Sequence, residues 1–283
     1  MIEKLKKSGF MGPVLTIMSG STLAQLIPLA SELVLVRLFT PTEFGILALF
    51  MGVAMLFSSV ATARYEMAIV LPKDDKKAIN ILALSLLITL IMTFFSAIIV
   101  WVFGENIAQI AKSPSLSPFL KWVPLFVMVN GVFQSFNLWS TRKKYYNNIA
   151  YSKVSQSGTN ASISIGTGYL GINTRGLIWG QISGWFIGGL PLIYKFWKRD
   201  KGLLKSVNKE EIVVQAKEHS DFPKINSVHI LSDNGQQTMV NFIIARFFSD
   251  AILGFYSKTI RIAKVPAGFI GSAMGQVFYQ KAS

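Results

Sequence analysis

The chain has 283 residues, of which 51% are hydrophobic and only 15% charged, with a mean hydropathy of +0.45. A soluble domain carries roughly a quarter charged residues, so one water-soluble core would leave this chain too little polar cover, whereas a bilayer needs none on its lipid-facing sides. The formal net charge of +14 sits mainly between apolar runs, the pattern of membrane orientation rather than of a nucleic-acid footprint, and the lack of cysteine excludes disulfides, thiolate metal sites and cysteine nucleophiles.

The basic start MIEKLKKSGF leads into an apolar run that continues to about Leu38, too long for a cleaved signal peptide, and reads as a first span. A crossing takes roughly 20 mostly apolar residues. Spans are predicted over 12–38, 44–63, 78–103, 119–140, 152–171, 176–196, 225–247 and 252–279, with Pro41, Pro72, Gly104, Pro114 and Pro118 at the breaks. The fold class is therefore all-α, a polytopic membrane protein of about eight transmembrane helices. The fifth span, SKVSQSGTNASISIGTGYLG, is small and polar, the composition of a helix that packs closely among others. Residues 197–224, WKRDKGLLKSVNKEEIVVQAKEHSDFPK, are too few for an independent domain. They read as a basic cytoplasmic linker with a surface helix, between a six-helix bundle at 1–196 and the first two helices of a second bundle at 225–283.

Lysine and arginine in short loops fix orientation. A cytoplasmic N-terminus places nineteen of them inside, in the groups 4–7, 64–77, 142–153 and 195–224, and leaves Arg37, Lys112, Lys121, Arg175 and Arg246 on or near the other side. An even number of spans with both termini cytoplasmic follows.

An internal match at a constant offset pairs VLVRLFTPTEFG, residues 34–45, with IIARFFSDAILG, residues 243–254. Arg37 pairs with Arg246, Phe39 with Phe248, Thr40 with Ser249 and Gly45 with Gly254. Both copies sit at the turn between an outgoing and a returning span, so they are parallel repeats related by an axis along the membrane normal, as in many secondary transporters. The second copy stops after two spans where the repeat leads one to expect six, so a C-terminally truncated protein or a fragment is the expectation.

The segments RLFTPTEFGILALF, ARYEMAIVLP, DFPKINS and GFYSKTIRIAKVPAGFIGSAMGQVFYQKA resemble the bacterial polysaccharide biosynthesis flippases of the multidrug/oligosaccharidyl-lipid/polysaccharide exporter superfamily. The resemblance runs over nearly the whole chain. It implies two helical bundles and a transporter that moves undecaprenyl-pyrophosphate-linked oligosaccharide across the cytoplasmic (inner) membrane for O-antigen, lipopolysaccharide, capsule or exopolysaccharide assembly. Polysaccharide polymerase and glycosyltransferases are the implied neighbours. No cofactor is implied, while coupling to protons or sodium stays open.

Such a task calls for a polar, cationic cavity. Lys258, Arg261 and Lys264 in span eight, spaced by three, spread over about 120° of one helix face, and charge at membrane depth is functional by default. They face a cavity and neutralise the pyrophosphate, or Lys258 and Lys264 snorkel to the interfaces and leave Arg261 alone at depth. Span seven supplies Ser232, Asp233, Asn234, Gln236, Gln237 and Asn241, for sugar hydroxyls or for bonds between helices. Span one adds Gln25 and Glu32, and the repeat sets Glu32 opposite Asn241. Glu32 or Asp233 carries a coupling ion, or Glu32 pairs with Arg37 or Arg64. Arg64 and Glu66 meet an incoming head group or form a structural ion pair. Trp101, Trp122, Trp139, Trp179 and Trp185 read as interfacial anchors.

An embedded enzyme is disfavoured, because the chain has two histidines, His219 and His229, no paired loop carboxylates and no glycine-rich phosphate loop. A multidrug antiporter would favour an acidic cavity, and a non-functional remnant or a half-transporter is the third reading.

Overall fold

The computed structural model describes residues 11–263, with side-chain surroundings from Gln25 onward. Among these residues there is no strand. The helices are α1 (Met11–Leu38), α2 (Pro41–Ser58), α3 (Asp75–Ile110), α4 (Val123–Arg142), α5 (Tyr146–Tyr169), α6 (Asn173–Arg199), α7 (Lys209–Glu218), α8 (Ser227–Phe247) and α9 (250–263). A 3₁₀ turn, Tyr65–Val70, follows α2. A short helical elbow, Pro114–Leu120, meets α4 at 52°.

As far as the described residues go, each expected span falls on a helix, but the count of eight is not reproduced by length and composition. Among the described residues α2, α3 and α6 are long and apolar enough to cross a membrane, and the elbow with α4 makes four. The expected spans 12–38, 152–171, 225–247 and 252–279 fall on α1, α5, α8 and α9 without meeting that measure, and 264–279 lies outside the described residues. The polar content of α5 and α8 is the physical reason for those two. The strongest membrane signature is α3, whose apolar window is only 17% buried. Leu87, Leu90, Ile91, Phe94 and Ile98 stand exposed along it, ending at Trp101, which is 87% exposed; only lipid makes such a face stable.

The polar fifth segment is explained by its partner. Gly176, Gly180, Gly184 and Gly188 recur every fourth residue on α6, and a Cβ on them would meet Thr167, Ser164 and the Gln156 backbone and side chain of α5 at 2.1–2.8 Å. Small residues on both helices permit this approach, which is how helices associate tightly where lipid supplies no hydrophobic drive.

The internal repeat is visible as geometry. Thr40 caps α2 by accepting from the Glu43 backbone N–H, and Ser249, its counterpart, caps α9 by accepting from the Ile252 N–H at 3.2 Å. A Cβ on Gly45 would lie 1.8 Å from the Asp250 carbonyl oxygen, and one on Gly254 would lie 1.9 Å from that of Pro41. Pro41 and Asp250 are themselves partners in the repeat. The two copies thus touch through equivalent atoms, as a local two-fold requires.

The basic loops assemble at one end of the helices. Arg142 donates to the carbonyls of Ile69, Pro72 and Lys73 and pairs with Asp75 at 3.0 Å. The linker is docked there rather than loose. Asn80 donates to the Ser206 carbonyl and accepts from the Asn208 N–H, and the Tyr65 hydroxyl donates to the Ala216 carbonyl at 2.9 Å. Trp139 corrects an expectation: it is fully buried, with its indole N–H donating to Asp200 at 2.9 Å, and is a core residue rather than an interfacial anchor. At the opposite end the Ser113 hydroxyl donates to Asp250 and Arg246 donates to the Ile110 carbonyl.

Candidate functional site

Three charged side chains meet between α1 and α9. Glu32 is 5% exposed. One of its carboxylate oxygens accepts from the Lys258 ammonium, and the other lies 3.7 Å from the Arg261 guanidinium. Lys258 also rests over the face of Phe44, 3.3 Å from the ring centre, a cation–π contact strengthened by the lack of water. One carboxylate against two cations leaves a formal excess of one positive charge. Glu32 is partnered neither by Arg37 nor by Arg64; Arg37 is exposed, and Arg64 pairs with Glu66 at 3.4 Å.

This cluster borders a cavity of about 20 Å³, whose wall includes Pro28, Ser31, Ser157, Asn160, Ser164 and Gln181. That volume holds about one water molecule and no sugar. In this conformation the ion pairs close the site. Pro28 breaks the hydrogen-bond ladder of α1 one turn before Glu32, and the Ser31 hydroxyl takes up the Pro28 carbonyl at 2.9 Å. Ser157, Asn160, Ser164 and Gln181 were absent from the sequence-derived site. The signal for the first three was the polar fifth span, which reads as packing and serves both purposes: α5 meets the glycines of α6 and also lines the cavity, while Gln181 lies on α6 and had no such signal.

The remaining expected residues are placed as follows. Asn241 is buried and donates to the Ala48 carbonyl of α2, beside Thr238, which donates to the Gly52 carbonyl at 3.1 Å. Both therefore join α8 to α2. Asp233 is exposed and pairs with His229 one turn away, and Asn234 and Gln237 share that part of α8, apart from the Glu32 cavity. Gln25 is exposed on α1 about two turns before Glu32. Arg64 sits at the basic end in a left-handed backbone conformation, φ 62°, holding the buried Glu66 that also accepts from Thr62. Lys264 lies outside the described residues. Among the described residues no group of acidic and histidine side chains has the arrangement of a metal site.

A solved structure described as the inward-facing conformation of a multidrug resistance MATE family transporter of the MOP superfamily is similar to this chain, with a TM-score of 0.54 and 16% identity over 88% of this chain. The chain spans 58% of that transporter's length. The likeness shows that the chain shares that structure's helical fold. Comparison with curated proteins finds no match. Residues 34–283 match the family described as Polysaccharide biosynthesis protein. The chain belongs to that polysaccharide biosynthesis family.

Proposed function

We propose that this chain moves undecaprenyl-pyrophosphate-linked oligosaccharide across the bacterial cytoplasmic membrane, with both termini on the cytoplasmic side, for O-antigen, capsule or exopolysaccharide assembly. The observation that carries this reading is the Glu32–Lys258–Arg261 cluster, beside a hydroxyl- and amide-lined cavity where α1 meets α9. A pyrophosphate entering the cavity competes with Glu32 for Lys258 and Arg261, so head-group binding and release of the closing ion pairs become one event. Glu32 then stands free to hold a coupling cation or a proton. No covalent bond changes, and the chain acts as a transporter rather than an enzyme. The two bundles, at 1–196 and 225–283, are joined by the linker, and polymerase and glycosyltransferases act on either side of the step.

The excess positive charge argues against an organic cation as cargo. The test is complementation of a deletion strain by the full-length gene. Arg261→Ala and Glu32→Gln are expected to leave lipid-linked oligosaccharide on the cytoplasmic face, where it stays inaccessible to an added periplasmic glycosidase. Full rescue by both variants, or restored drug efflux without oligosaccharide transfer, would overturn the reading.

A further inference from the structure

At the end opposite the basic loops lies an open cup of about 710 Å³ that takes no part in the site above. Its wall combines the first turn of α2 (Thr42, Glu43), the elbow (Ser115, Phe119) and the first turn of α6 (Thr174, Arg175). Four properties of these residues point to one kind of ligand. Thr174 is only 3% exposed as a whole, lines the cup, and its hydroxyl makes no side-chain hydrogen bond among the described residues, which leaves it available to a ligand. No side chain caps α6, so its first-turn N–H groups present partial positive charge. Arg175 is exposed in that same turn and forms no ion pair among the described residues. Glu43 spends only one oxygen on the capping box with Thr40, and the other remains an acceptor.

A corner of positive charge, free hydroxyls, one free carboxylate oxygen and the Phe119 ring complement a pyranose that carries an acid group. A phospholipid headgroup matches the charge without the ring of hydroxyls. The position adds a second argument. Leu35, Phe39, Phe44 and Leu177 form a separate apolar cluster. Phe44 and Leu177 border the Glu32 cavity, while Glu43 and Thr174, in the same turns, border the cup. The cluster is thus a plug about one helical turn thick between the two spaces.

We infer that the cup is a second carbohydrate site, which takes an acidic sugar of the glycan beyond the plug; this rests on the reading of the chain as a transporter of lipid-linked glycan. The test is saturation-transfer NMR on the full chain in nanodiscs, with methyl β-glucuronide and methyl β-glucoside as probes. Transfer to the glucuronide is expected to exceed that to the glucoside by about tenfold, the loss expected of one charge-assisted hydrogen bond. Arg175→Gln is expected to remove that preference, and Thr174→Val to weaken both probes about threefold. Thermal unfolding of each variant establishes that the fold is kept. Gly235→Ala, which lines neither the cup nor the Glu32 cavity, leaves the glucuronide signal intact.

Equal transfer to both probes, no transfer at all, or full transfer in both cup variants would overturn the inference. Absent transfer in a chain that moves glycan sinks the cup alone. A glucuronide signal in a chain that moves no glycan sinks transport and leaves the cup standing.

Discussion

Replacing Gly45 with alanine places a methyl group 1.8 Å from the Asp250 carbonyl oxygen. Ordinary contact begins near 3.4 Å, so α2 and α9 must part by about 1.5 Å. The obstacle is backbone, and no change of rotamer relieves it. Overpacking of this kind costs about 1–3 kcal/mol, which corresponds to roughly 5 °C in the unfolding midpoint of a chain this size. The repeat sharpens the expectation: Gly254→Ala meets the Pro41 carbonyl at 1.9 Å and is expected to cost the same. Lys258 lies one turn beyond Gly254, so separation of the helices also draws it away from Glu32. Thermal unfolding of the full chain in nanodiscs measures the effect, with Gly235→Ala as the control, because a Cβ there meets nothing within 4 Å and helix propensity alone favours alanine. If Gly45→Ala proves as stable as Gly235→Ala, the two copies do not meet at these glycines and the reasoning fails.

Trp139→Phe leaves the buried Asp200 with only the Tyr145 hydroxyl at 3.2 Å and Lys143 at 3.9 Å, and is expected to lower stability by about 1–3 kcal/mol in denaturant titrations. Asn80→Ala removes both bonds to the linker, so amide exchange across 201–218 is expected to accelerate while that of α5 stays unchanged. Asp75, the first residue of α3 and ahead of the span 78–103, is held below the usual carboxylate range by its hydrogen bond from Lys143 and by Arg142, against the opposing effect of burial. A depressed value means stabilisation that is present above the unfolded pKa of about 3.9 and lost as pH falls through the lower folded value. Stability measured from pH 6 to pH 3 is therefore expected to decline, and to decline less in Asp75→Asn.

The helices were legible because apolar runs of adequate length have one solution in lipid, and α3 is the clearest case. The correspondence of the two copies was legible, since Gly45 and Gly254 already matched at a fixed offset, but their contact was not. The Glu32 pairing was not. Lys258 is 226 residues from Glu32, and nothing local distinguishes that partner from Arg37, which lies much nearer in sequence. Trp139 misled because Trp near a span end commonly sits in the headgroup layer, whereas here Asp200 of the docked linker supplies an acceptor inside the protein. Asn160 was hidden by a composition that close packing alone explained.

The docking of α7 changes the mechanics of the joint between the two groups of helices. A free 28-residue segment reaches about 100 Å when extended, whereas the residues between the anchored Glu218 and the start of α8 reach about 30 Å. A leash that short, opening through the π-helical turn Phe222–Asn226, allows α8 and α9 to tilt about their basic end but not to travel away from it.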